Sequence, residues 1–222
     1  MTINIKNDTN YNKFMINNLI NNKTPLVICD VGASPQDPTP FIDELFKKVN
    51  CFLYGFEPNE NEFKKLNSTD KKKYFNYAVG NGRSETLNIC SAPGMSSLLE
   101  PDFEYLKLFH GFSEWAKVIK KVKVQTKKLD DINFDKKIDF LKIDVQGYEY
   151  EVIKNGNNII KDSLIIQLET SPIPLYKNEK SFAHICLQLE NLGFQLHSFN
   201  QINTRCFKPL ILQNNIYSGL NH

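Results

Sequence analysis

Four acids in this chain each close a short apolar run: Asp30 after Leu26-Val27-Ile28-Cys29, Glu57 after Cys51 to Phe56, Asp144 after Phe140 to Ile143, and Glu169 after Leu164 to Leu168. An apolar run that stops at an acid delivers a carboxylate to the carboxyl edge of a parallel sheet, where ligands of open sheets bind. Two of the four come with further signals. Asp30 leads into Val31-Gly32-Ala33-Ser34, a glycine turn that lets backbone approach a ligand closely, and Glu57 closes the next apolar run, just before Pro58. A carboxylate there can accept hydrogen bonds from both hydroxyls of a ribose. The pair points to an enzyme with a nucleoside-bearing cofactor.

The type of cofactor follows from what surrounds the glycine turn. A dinucleotide needs Gly-x-Gly-x-x-Gly so that pyrophosphate can sit on a helix N-terminus, and a triphosphate needs Gly-x-x-x-x-Gly-Lys. This chain has one glycine, then Pro35, Pro38 and Pro40, which remove amide donors that a phosphate would use. Asp30 repels phosphate but attracts a cationic amino or sulfonium group. These electrostatics favour S-adenosylmethionine, with S-adenosylhomocysteine as product, over NAD or ATP.

The elements that must hold these residues are legible in outline. Strands are expected over Leu26 to Val31, Cys51 to Phe56, Tyr74 to Val79, Ile138 to Val145 and Leu164 to Leu168. Helices are expected over Phe41 to Val49, Asn59 to Leu66, Tyr148 to Lys154 and Phe182 to Leu192. Glu85 to Ser91 and Val118 to Gln125 read as an antiparallel excursion. Between them lie Pro93-Gly94-Met95-Ser96-Ser97 and an aromatic helical stretch from Phe103 to Trp115. A long insertion at the carboxyl edge is often what covers substrate, so 85–125 is read as a substrate-covering segment. Residues 1–24, with an amphipathic helix around Tyr11 to Leu19, form an N-terminal cap, and Phe194 to Phe199 with Phe207 to Gln213 form a terminal hairpin.

At 222 residues, 41% apolar and 23% charged, the chain reads as one globular domain over 1–222. A net charge of +2 gives no field to attract nucleic acid. The five cysteines are odd in number and without metal-ligand spacing, which fits a reducing cytoplasm. His110, His184, His197 and His222 are scattered, so no metal site is expected and His110 is a minor candidate for a base. No apolar run approaches the roughly twenty residues that cross a bilayer. The Asn- and Lys-rich composition suggests an AT-rich bacterial genome.

Five motifs occur in a telling order: Cys-Asp-Val-Gly-Ala from Cys29, Gly-Phe-Glu-Pro from Gly55, Tyr-Ala-Val-Gly from Tyr77, Lys-Lys-Leu-Asp-Asp-Ile from Lys127, and Asp-Phe-Leu-Lys-Ile-Asp-Val-Gln-Gly-Tyr-Glu from Asp139. Together, from Val27 to Glu169, they resemble the FkbM-type S-adenosylmethionine-dependent methyltransferases. The resemblance implies an α/β class I methyltransferase fold, a three-layer sandwich whose mostly parallel seven-stranded sheet ends in an antiparallel hairpin. It also implies O-methylation of a sugar or other small hydroxylated metabolite; methylation of a phosphorylated or nucleotide-linked small molecule, as in surface-polysaccharide modification, is the alternative. By position it assigns Asp30 and Gly32 to the methionine moiety, Glu57 to the ribose hydroxyls, Ala78 and Val79 to the adenine edge, and Asp144 to the transferring methyl, with Ala33, Ser34 and Pro58 also among the cofactor-binding residues.

Methyl transfer to oxygen needs in-line positioning and one base, for which Asp144 stands first and Glu169 second. Lys142 alternates onto the same side as Asp144, either to pair with it or to orient an anionic acceptor. Ser96, Ser97, Trp115 and Gln146 are candidates for lining the acceptor pocket. The family commonly has glutamate at the position of Gln146. That departure keeps open a non-catalytic binding module, and lysines near the site keep open a phosphorylated or nucleotide-linked acceptor. The oligomeric state is not written in the sequence.

Overall fold

The computed structural model describes residues 24–35, 40–199 and 202–210. The helix expected over Tyr11 to Leu19 lies outside the described residues, as does most of the proline-rich loop after Ser34. Five parallel strands form the sheet: β1 (Leu26–Val31), β2 (Cys51–Phe56), β3 (Lys72–Phe75), β6 (Phe140–Ile143) and β7 (Ile165–Leu168), in the order β3-β2-β1-β6-β7. Strand order reverses beside β1, which pairs with β2 on one side and β6 on the other. Such a switch point opens a crevice at the carboxyl edge.

Alternation along the strands sends side chains to two covered faces. Ile28, Cys51, Leu53 and Phe140 pack with Ile42 of α1 (Pro40–Lys48). Val27, Cys29, Val31, Tyr54, Phe56, Leu141 and Ile143 meet Val152 and Ile153 of α5 (Glu149–Lys154), Ile160 of α6 (Asn157–Asp162) and Ile185 of α7 (Phe182–Asn191). Helix, sheet and helix are thus three layers. Asp30, Lys142, Asp144 and Glu57 have the parity of the α1 face, so the polar strand ends gather on one side of the sheet.

The two remaining strands, β4 (Ser84–Cys90) and β5 (Val118–Gln125), form a separate antiparallel pair. The pair is tied to the sheet where Lys127 N–H donates to Ala78 O at 2.9 Å and Gly80 N–H to Lys127 O at 2.7 Å. Short helices fill the remaining connections: α2 (Glu60–Phe63) follows β2, and α3 (Phe103–Leu106) and α4 (Phe112–Trp115) lie in the insertion.

Four expectations are corrected. The single sheet of seven strands is five plus two, and the terminal hairpin is absent among the described residues. Phe194 to Phe199 carries no strand, Phe194 packs on the core beside α7, and Phe207 makes one isolated bridge to Phe109. The strand expected over Tyr74 to Val79 ends at Phe75, because the next side chain takes over the ladder: Asn76 Nδ2 donates to Glu57 O at 2.8 Å. The helix expected from Phe103 to Trp115 is broken into α3 and α4 by Gly111 at φ +79°.

Candidate functional site

Gly32 determines how closely the ends of β1 and β6 approach. Its φ is +91°, and a Cβ there would stand 1.8 Å from the carbonyl oxygen of Asp144. No other residue fits without separating the strands. The cleft that opens beside this turn is lined by Gly32 and Ser34, Glu57 to Asn59 and Glu62, Ala78 and Val79, Pro93 to Leu98 apart from Met95, and Asp144 to Gln146, with Leu87 on the side of the antiparallel pair.

Beneath the cleft lies a buried charge cluster. Asp30 and Lys142 are partners in the parallel register of β1 and β6. The Lys142 ammonium donates to Asp30 Oδ1 at 3.1 Å and stands 3.5 Å from Asp144 Oδ2, with all three side chains no more than 10% exposed. One ammonium between two carboxylates leaves one negative charge. Burial pushes the Asp30 carboxyl up, and Lys142 pulls it down.

Glu57 is nearly buried and accepts the Asn59 backbone N–H at 2.7 Å. Burial pushes its carboxyl up to about 7; the Asn59 N–H opposes this, while Glu62, Asp30 and Asp144 add to it through space. Glu62 is itself buried and paired to Lys65 at 2.7 Å.

At the far rim, Gln146 spans two strand ends. Its Nε2 donates to Asp144 Oδ1 and Glu169 Oε2, both at 2.9 Å. Next along the turn, Gly147 at φ +92° leaves room for the ring of Tyr176, which a Cβ would meet at 2.8 Å. The Tyr176 hydroxyl lies 3.0 Å from Met95 O and 3.2 Å from Gln146 Oε1. Glu149 closes the turn from below, its Oε1 accepting from Val145 N–H at 3.0 Å and Gly147 N–H at 3.1 Å. Burial pushes that carboxyl up to about 7.

The sequence candidates separate by place. Gly32, Ser34, Glu57, Pro58, Ala78, Val79, Ser96, Ser97, Asp144 and Gln146 line the cleft. Asp30, Ala33 and Lys142 lie buried outside its lining, and exposed Glu169 reaches it through Gln146. Trp115 lies apart from the cleft, its ring 5.3 Å from Phe112 in an aromatic group with Phe109 and Phe207. The Ser96 hydroxyl accepts from Cys90 N–H at 3.1 Å, and the Ser97 hydroxyl donates to Gln146 O at 2.6 Å.

Asn59, Glu62, Glu149 and Tyr176 were not anticipated. The spacing Asn59-x-x-Glu62 is a capping signal that could have revealed the first two, and Asn59 does cap α2 by accepting from Asn61 N–H. Tyr176 arrives from a loop and carries no such signal. Among the described residues no group of His, Cys, Asp or Glu is arranged to hold a metal ion, and no helix is long and apolar enough to cross a membrane.

The arrangement defines an α/β protein with an acid-rich cleft at the switch point of a parallel sheet. Comparison with protein families sharpens this: the model of the methyltransferase FkbM domain matches residues 30–196, and the chain belongs to that family. Among solved structures, the crystal structure of methyltransferase FkbM from Methylobacillus flagellatus KT at 2.20 Å resolution is similar at 14% identity and a TM-score of 0.38. The similarity covers 62% of this chain and 30% of that one, so this chain spans less than a third of that chain's length. No curated protein matches.

Proposed function

We propose that this protein is an S-adenosylmethionine-dependent O-methyltransferase, a single domain over 1–222, acting on a hydroxyl of a neutral sugar or glycan precursor. The observation that carries the reading is that Glu57, Gly32 and Asp144, from three adjacent strands, line one cleft. The residues suit the cofactor. Gly32 clears the floor, Glu57 offers a carboxylate to ribose hydroxyls, and Ala78 and Val79 give a small apolar edge for adenine. The acids favour a cation over a phosphate.

S-adenosylmethionine, when bound, supplies an electrophilic methyl group. The protein's part is to hold the acceptor hydroxyl in line and to receive its proton, which Asp144 can accept on a carboxylate oxygen. Lys142 and Gln146 fix that carboxylate from two sides. Free thiols at the described cysteines suit a reducing cytoplasm.

The charge of the cleft selects among acceptors. Of the described residues that line it none is Lys or Arg, while Glu57, Glu62 and Asp144 are acids. Lys142, the lysine that would favour a phosphorylated acceptor, is paired with Asp30 and Asp144 instead. Calorimetry with S-adenosylmethionine and S-adenosylhomocysteine tests the reading, followed by transfer assays across neutral sugars and sugar phosphates. Binding of neither cofactor form would refute it. Binding with no transfer to any acceptor would favour a scaffold that keeps the cleft without the chemistry.

A further inference from the structure

The amide of Gln146 joins two carboxylates that leave different strands. Its nitrogen has two hydrogens, and they go to Asp144 at the end of β6 and Glu169 after β7, each at 2.9 Å. The rest of the residue is held as well. The two carboxylates, which only accept, require the amide nitrogen on their side, while Tyr176 Oη, 3.0 Å from Met95 O, also lies 3.2 Å from Oε1, and Ser97 Oγ holds the backbone carbonyl at 2.6 Å. The backbone itself sits at φ +55°, a region that side chains other than Asn, Asp and His rarely adopt. Four contacts thus keep an unfavourable conformation in place.

The geometry points to Gln146 as the positioning residue of the reaction centre, its amide standing where a shared proton would otherwise be needed to hold Asp144 and Glu169 together. Two neighbouring carboxylates with no donor between them resist double ionisation and share a proton. A neutral amide donates to both, so the junction stays closed while both acids are ionised. The other charged groups facing Asp144 are Lys142 at 3.5 Å and, through space, Asp30, Glu57 and Glu149. The consequence is a base that keeps its place as pH rises. This inference rests on the reading of Asp144 as the base.

Two variants separate positioning from simple structure. Gln146→Glu is isosteric and returns a carboxyl to the junction; Gln146→Met removes the donors without adding charge. Both are followed by calorimetry with S-adenosylhomocysteine, by kcat and KM across pH, and by NMR titration of protein carrying 13C-labelled carboxyls. Gln146→Glu is expected to bind S-adenosylhomocysteine within about threefold of the wild type and to hold one more proton at neutral pH. Its kcat should be partly reduced near pH 6, where the single proton of the new carboxyl can join it to only one of the two acids, and fall at least about tenfold further by pH 9, with KM little changed. Gln146→Met should lose kcat at every pH. A Gln146→Glu protein whose carboxyl titration and pH profile superimpose on the wild type would overturn the proposal. A wild-type chain that binds no S-adenosylhomocysteine would overturn the methyltransferase reading instead, and the carboxyl titration would still decide the junction.

Discussion

Asp30 and Lys142 stand opposite each other in the register of β1 and β6, and the lysine reaches the aspartate at 3.1 Å while also meeting Asp144 at 3.5 Å. The ammonium is the joint between the two strands that carry the candidate site. Its removal would take that ammonium away from two buried carboxylates.

Lys142→Met should therefore destabilise the fold by about 3–5 kcal/mol, the usual cost of breaking a buried pair from one side. The double variant Lys142→Met with Asp30→Asn should recover part of that loss, because one of the two carboxylates goes too. Denaturant unfolding of the wild type, Lys142→Met, Asp30→Asn and the double variant measures the coupling. Equal stability of Lys142→Met and the wild type would show that the ammonium does not hold the strands.

On the proposed reading, Glu57 should make cofactor affinity depend on pH. Its carboxyl is raised to about 7, so below neutrality it is protonated and loses acceptor capacity, and above neutrality it can accept from both ribose hydroxyls. Affinity for S-adenosylhomocysteine should rise as pH increases through about 7. Glu57→Gln should lose about 1.5–3 kcal/mol of binding at alkaline pH, the range for hydrogen bonds to a charged group, and flatten the profile. Calorimetry at several pH values checks both, and an unchanged affinity in the variant would remove Glu57 from the site.

How far the site could be read from sequence depended on which elements carry it. Asp30, Glu57 and Asp144 were legible because each lies at or just past the carboxyl end of a short apolar strand, and the period of two put Lys142 on the side of Asp144. That Lys142 would also meet Asp30 required knowing that β1 and β6 are neighbours, which is topology and leaves no local pattern. Tyr176 was invisible for a similar reason: it comes from a loop, pinned where Lys177 N–H donates to Glu100 O at 2.8 Å. Phe194 to Phe199 was misread as a hairpin strand because its alternating apolar residues satisfy a strand pattern while packing beside a helix instead; Phe199 contacts Phe182 of α7 with rings 5.8 Å apart.

Asp144→Asn tests the proposed base at nearly constant size, although the amide keeps one acceptor oxygen for two donors, Gln146 Nε2 and the Lys142 ammonium, that the carboxylate meets on separate oxygens. The amide preserves size but loses the capacity to take a proton, so kcat should fall about 10²–10⁴-fold, the range for general-base catalysis, while affinity for S-adenosylhomocysteine stays near the wild type. Full turnover in this variant would move the role to another group, with Glu169 next in reach through Gln146.

Glu149 offers a prediction about stability in which the sign is opposite to that of a paired acid. Its folded-state carboxyl, at about 7, lies above the ordinary glutamate value because it is buried. The group's favourable contribution is full below the unfolded value near 4.3 and is lost as pH rises through about 7, where ionising it inside the fold becomes costly. Both N–H groups it accepts, from Val145 and Gly147, converge on the single oxygen Oε1. The carbonyl oxygen of an amide can accept the same pair. Glu149→Gln should thus keep the turn, lose the pH dependence, and gain stability relative to the wild type as pH rises from about 5 to about 8, by no more than about 1.4 kcal/mol per pH unit. Thermal unfolding of both proteins across that range decides it: parallel curves would mean that Glu149 does not titrate there, and a variant less stable at every pH would mean that the second carboxyl oxygen is needed.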